Sequence, residues 1–249
     1  MHAAVAHEAL PAPVRSALWF GHQLGAAEVP TVPSGFDALD AELPGGGWPL
    51  AGLTELLQQV EPGGGELALL AAALARAAAP GGQVVWIAPP HTPFAPALQA
   101  LGVPLDRFLW LSPASPKDAA WAAEQVLRSG TCAWLQWWSP KTTPDMLRRL
   151  HLAALDHHCP LLVLRPGTAQ QHASPAPLRL VCTPLPRRQL EVRILKRRGP
   201  ALARAITLAL PDPVPQRHGT TNPSPSPSPS KPLADADVVA GHPSAPLAA

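Results

Sequence analysis

Only 3 cysteines occur in the 249 residues, Cys132, Cys159 and Cys182. They are widely spaced, odd in number and never in a CxxC pair, which fits neither a disulfide framework nor a cysteine-based metal centre and leaves buried free thiols as the reading. His157 and His158 stand beside Cys159, but adjacent residues on a helix point about 100° apart and no second ligand pair lies nearby, so no metal is expected. No apolar stretch reaches the roughly 18 residues needed to cross a bilayer. The best candidate, LALLAAALARAAA, is short, rich in alanine and interrupted by Arg76. The opening residues MHAAVAHEALPAPVRSALW lack the basic start and apolar centre of a secretory signal, so a cytoplasmic protein without a membrane partner is expected. Tyrosine is absent, and 4 Phe stand beside 8 Trp, so any aromatic surface must be built mainly of indole.

What is present is a globular composition, with 47% hydrophobic residues and a net charge of +2 that is unevenly placed. Residues 1–140 carry 5 basic and 11 acidic side chains, whereas residues 141–210 carry 12 basic and 3 acidic ones. A basic final third on an acidic body predicts a surface for a polyanion or a dock for an acidic protein.

Three segments follow from the pattern. Residues 1–30 read as an amphipathic arm with Val14, Leu18 and Trp19 on one face, and residues 31–210 as the folded core. Residues 211–249, with an alternating Pro-Ser block from Pro223 to Ser230, are too poor in large apolar side chains to offset the entropy of ordering and read as a disordered tail. Within the core, strand and helix patterns alternate, which predicts an α/β fold with a mainly parallel sheet flanked by helices. LTELLQQV, QVVWIAP, RFLWLSP, CAWLQWW and PLLVLRP read as strands. ELALLAAALARAAA, TPFAPALQALG, SPKDAAWAAEQVLRSG and TPDMLRRLHLAALDHH read as helices, and Ser34 as the cap of a short helix in SGFDALDAEL. LRLVCTPL and QLEVRILKRR, separated by PRR, read as a C-terminal antiparallel hairpin.

The stretch EPGGGELALL, residues 61–70, follows an apolar strand and opens a helix, where a phosphate-binding loop would lie. Such a loop needs glycine N–H groups around the phosphates, then a lysine and a hydroxyl for magnesium. Gly63, Gly64 and Gly65 supply the glycines, but the next two residues are Glu66 and Leu67. Glycines free to take positive φ also suit a tight strand-to-helix turn with no phosphate in it.

The ordered series SGFDALDAELPGGGWPLAGLTELL, LGVPLDRFLWLSP, VLRSG and EVRILKRRGP resembles the RecA-type recombinase core, and more closely the ImuA-type proteins of bacterial mutagenic translesion synthesis. The resemblance covers about residues 30 to 210, and LWFGHQLG near the start is similar too. It implies a RecA-like fold with a degenerate P-loop. The ATPase lysine and hydroxyl of that family fall on Glu66 and Leu67, its magnesium-organising acid on Trp138 and its water-activating glutamate on Pro90. None of these side chains can replace what is missing, so neither ATP hydrolysis nor a cofactor is expected. The implied partners are an ImuB-like, Y-family polymerase-related protein, RecA itself and an error-prone replicative polymerase. The chain is also similar in plan to the SulA-type inhibitors of cell division, which implies the division GTPase as an alternative partner.

Two surfaces are candidates for contact. One is basic: the loop RPGTAQQHASPAP, which contains Arg165 and His172, corresponds to one that in RecA-like proteins approaches DNA, and Arg179, Arg187, Arg188, Arg193, Lys196, Arg197 and Arg198 follow. The resemblance matches Lys196 and Arg198 to a pair that senses nucleotide across a subunit interface; without nucleotide they would meet a partner's carboxylates or DNA phosphates, single-stranded DNA included. The other surface is aromatic, with Trp134 expected in the core and one of Trp137 and Trp138 near the nucleotide cleft or a partner, since they point to opposite faces.

Overall fold

The architecture comes from a computed structural model, which describes residues 30–59, 65–78, 81–199 and 204–211. The chain divides into units Met1–Pro215 and Gln216–Ala249, and every described residue belongs to the first. The arm expected over 1–30 and the tail expected over 211–249 therefore lie, except for Pro30 and Pro211, outside the described residues.

A two-stranded antiparallel ribbon, β1 (Thr31–Val32) with β2 (Trp48–Pro49), precedes the main sheet, and the short helix α1 (Asp37–Asp40) lies between its strands. The main sheet holds β3 (Gly52–Gln58), β4 (Gln83–Ile87), β5 (Phe108–Leu111), β6 (Cys132–Trp138), β7 (Pro160–Pro166), β8 (Leu178–Leu185), β9 (Gln189–Lys196) and β10 (Ile206–Ala209). Its order is β10-β9-β8-β3-β7-β6-β4-β5. The strands β3 to β8 are parallel, β9 pairs antiparallel with β8, and β10 pairs antiparallel with β9. The expected mixed α/β fold, mostly parallel with an antiparallel end, is what the chain adopts.

Helices cover both faces of the sheet, so its central strands read as nearly continuous apolar runs. Leu56, Trp86, Trp134 and Leu164 pack under α2 (Glu66–Ala78) and α3 (Ala95–Ala100). Leu53, Val85, Leu135, Trp137 and Val163 face the other way, under α4 (Pro116–Arg128) and α5 (Pro144–Asp156). Trp134 is thus a core residue, as expected.

Local chemistry sets the helix ends. The Ser115 hydroxyl accepts from the Asp118 N–H at 3.2 Å and Thr143 from Met146 at 3.2 Å, each followed by a proline in the first turn. Gly130, just past α4, takes φ +67. One capping expectation is corrected: Phe36, extended at φ −128, is the N-cap of α1, not Ser34. Ser34 lies two residues earlier, donating its N–H to Asp40 Oδ1 at 2.8 Å while its hydroxyl accepts from the Phe36 N–H at 3.1 Å.

Among the described residues, no helix is long and apolar enough to cross a membrane. The three cysteines are free and buried.

Candidate functional site

In a parallel sheet the carboxyl ends of the strands, where loops leave for the covering helices, are the usual place for ligands. Here β3, β4, β6 and β7 end around a cleft of about 620 Å³ lined by Gln58, Pro90, Trp138, Ser139, Arg165 and Thr168, among others. Pro90 follows β4 and Trp138 ends β6, so the fold brings together two of the positions singled out in the sequence. Trp138 is 7% exposed and packs edge to face on Trp86, ring centres 5.2 Å apart at 68°. Its neighbour Trp137 is buried on the opposite face. The indole at the cleft is therefore that of Trp138, and its bulk forms part of the wall.

Gly63 and Gly64 lie outside the described residues. Gly65 takes φ +107, and a Cβ there would stand 2.5 Å from Leu210 Cδ1. Glu66, the first residue of α2, is buried, while Leu67 turns outward. The Glu66 carboxylate is close enough to β8 to act on Cys182. Burial first, and this carboxylate second, push the Cys182 thiol up to about 12.

The basic residues do not form one patch. Arg165 and Arg179 are buried, which takes both off the exposed basic surface expected for them, and Arg165 instead lines the cleft. Arg165 Nη1 donates to Glu55 Oε1 at 2.7 Å, Arg179 Nε donates to Glu55 Oε2 at 2.6 Å, and Arg179 Nη2 donates to the Ala169 carbonyl at 2.9 Å. The register explains the meeting: Glu55 on β3 lies between Val163 of β7 and Arg179 of β8, and Arg165 is two residues further along β7 on the same face. Arg187 and Arg188 form the exposed β8–β9 turn beyond the carboxyl end of β3. Lys196, Arg197 and Arg198 come back at the opposite end of the sheet, since β9 is antiparallel to β8. There Arg197 Nη1 pairs with Glu42 Oε2 at 3.0 Å and Lys196 Nζ donates to the Ser174 carbonyl at 3.1 Å. Arg193, midway on the α5 side, donates to Gln170 Oε1 at 2.9 Å.

Near that amino end, His151 of α5 accepts the Leu53 N–H on Nδ1 at 3.0 Å. Burial, then the charges of Arg198 and Lys196, lower its pKa below the usual histidine value. Sequence reasoning passed over Glu55 and His151. Glu55 had a signal, a carboxylate inside an apolar strand that must be buried on both faces. His151 had none, because its partner is a backbone group set only by how α5 packs on β3.

Comparison with known proteins adds one relative and one absence. Over 93 residues, 37% of this chain, the sequence is 32% identical to the cell division inhibitor SulA of Edwardsiella piscicida. The match spans 55% of that relative, about half its length. No protein-family model matches the chain.

Proposed function

We propose that the chain is a non-catalytic accessory protein of damage-induced mutagenic translesion DNA synthesis, a RecA-like platform that acts through protein contacts in a mutasome. The observation that carries this reading is the chemistry at the carboxyl ends of the strands. On the resemblance, the positions of a RecA-type ATPase's lysine, hydroxyl, acid and glutamate fall on Glu66, Leu67, Trp138 and Pro90. A carboxylate in place of that lysine supplies no positive charge for nucleotide phosphates and would oppose them by roughly a few kcal/mol at an intermediate dielectric. The alternation of parallel strands and covering helices and the antiparallel C-terminal strands are consistent with the RecA-like plan.

The partners on this reading are an ImuB-like, Y-family polymerase-related protein, RecA and an error-prone replicative polymerase. Contact surfaces are the exposed cations at the two ends of the β8–β9 hairpin, Arg187 and Arg188 at one and Lys196 and Arg198 at the other. Co-purification with the ImuB-like protein tests the idea. A complex is expected that Arg187→Glu/Arg188→Glu or Lys196→Glu/Arg198→Glu weakens, together with no ATP turnover. Turnover that Glu66→Ala abolishes would overturn it.

A second reading is favoured by the similarity to SulA: an inhibitor of cell division that acts on the division GTPase. Sedimentation of division-GTPase polymers separates the two. Loss of pelletable polymer on adding the purified chain supports inhibition, and unchanged polymer removes it.

A further inference from the structure

At the carboxyl ends of β6 and β7, hollows of about 260 and 470 Å³ adjoin the 620 Å³ cleft, and Arg165 lines all three. Among the described residues, no carboxylate lines any of them. Besides Arg165, the ionisable groups in their walls are Lys141 and His172, both exposed. The remaining lining is apolar or neutral, with Pro140, Met146 and Pro166 beside Thr142 and Thr168.

Arg165 is short of partners for its position. It is 4% exposed, yet it gives Glu55 only Nη1, and its Nε has no hydrogen-bond partner. Glu55 divides its two oxygens between Arg165 and Arg179, so one buried carboxylate meets two buried guanidiniums. Buried charges are tolerated when they are matched and fully hydrogen-bonded. Here one positive charge is in excess, and Arg179 places a further donor on Ala169, so the unmet demand sits at Arg165. The first turn of α5 adds to it, because Thr143 and Pro144 wall one hollow and a helix N-terminus carries partial positive charge.

We propose that this groove receives a single carboxylate, carried on an acidic segment of a partner protein, with Arg165 at its floor and Lys141 and His172 at its mouth. The proposal rests on the protein-contact reading above and names what that contact recognises. Nucleic acid suits the groove less well. Tracking a strand takes a row of exposed cations beside its phosphates. Among the described residues the groove is lined by one arginine, a sunken guanidinium between apolar walls, and the exposed Arg187, Arg188 and Arg198 do not line it.

The test is an arginine side-chain NMR titration of the purified full chain with acetate and with a blocked peptide containing one aspartate, against chloride at equal ionic strength. A saturable shift of the Arg165 Nε–H signal with both carboxylates, not with chloride, is expected. Arg165→Lys keeps the charge but not the planar fork and should weaken binding about tenfold. Lys141→Ala changes an exposed residue, cannot disturb the core, and should weaken binding by about threefold. A signal that moves equally with chloride overturns the site. An oligothymidylate that binds more tightly than the peptide, with loss in Arg165→Lys, overturns the choice of a protein partner. A chain that still captures its ImuB-like partner while its groove ignores carboxylates would refute only this proposal and leave the protein-contact reading standing.

Discussion

Arg165 and Glu55 meet at 2.7 Å across neighbouring parallel strands, in a part of the sheet where neither side chain is more than 4% exposed. The same carboxylate holds Arg179 from the strand on its other side. Three adjacent strands are thus tied by one acid, and the tie lies directly beneath the loops that border the groove. A displacement of β7 or β8 would break it, so the triad fixes the position of those loops.

Replacing Glu55 with Gln leaves two buried guanidiniums without a counter-charge. Loss of one partner from a buried pair costs about 3–5 kcal/mol. Urea unfolding followed by tryptophan fluorescence should show a drop of that size. Replacing all three residues with leucine or methionine should cost far less, because the charges leave together. Equal losses in the two proteins would mean that the triad has no electrostatic role.

His151 gives the fold a pH dependence whose sign is set by its lowered pKa. Nδ1 can accept the Leu53 N–H only while the ring is unprotonated at that atom, and Arg198 and Lys196 oppose a positive charge there. Between the folded pKa and the usual value of about 6.5 the unfolded chain binds more protons than the folded one. The contribution is therefore complete above pH 6.5 and lost as pH falls toward the folded value. His151→Asn keeps an acceptor and removes the titration. Unfolding midpoints at pH 7.5 and pH 5.5 should differ more in the parent than in this variant.

The strands and helices of the sheet were readable because their residues alternate between two covered faces and their ends carry strong punctuation, such as Ser115, Thr143 and Gly130. The ribbon strands Thr31–Val32 and Trp48–Pro49 are two residues each and exist only through pairing with each other, so no period announces them. β10 is similar: four residues held against β9. The division of the basic third was hidden for another reason. Arg187 and Lys196 are close in sequence, but an eight-residue strand carries them to opposite ends of the sheet. Burial of Arg165 and Arg179 depended on Glu55, whose reach to β7 and β8 follows from the strand order rather than from any local pattern.

The β8–β9 turn is strained by its sequence. Arg187 and Arg188, the last two residues of the three-residue loop, both take positive φ, 58° and 56°, a conformation that residues with a Cβ seldom adopt and that Asn and Gly tolerate best. Arg187→Asn/Arg188→Gly should raise stability by about 1 kcal/mol, the gain in φ being partly offset by glycine entropy and by loss of the Arg188 contact to the Pro211 carbonyl. The same variant should bind an acidic partner more weakly if these guanidiniums make contact. Thermal unfolding and co-purification read the two effects separately.

Gly65 offers the sharpest test of why glycines persist ahead of α2. Its φ of +107 lies where residues with a Cβ seldom go, and the added carbon of alanine would stand 2.5 Å from Leu210 Cδ1. The leucine tip can swing aside, so the backbone term should dominate. Gly65→Ala should cost about 1–3 kcal/mol. In a Leu210→Ala background that cost should shrink but not vanish, because the φ penalty remains. If the glycine served phosphate instead, ATP with magnesium at about 100 times its dissociation constant would stabilise the parent by about 2.7 kcal/mol, and Gly65→Ala would remove that gain. An unchanged melting temperature on adding the nucleotide, together with a Gly65→Ala cost that Leu210→Ala only partly relieves, is the outcome expected of a turn shaped for packing.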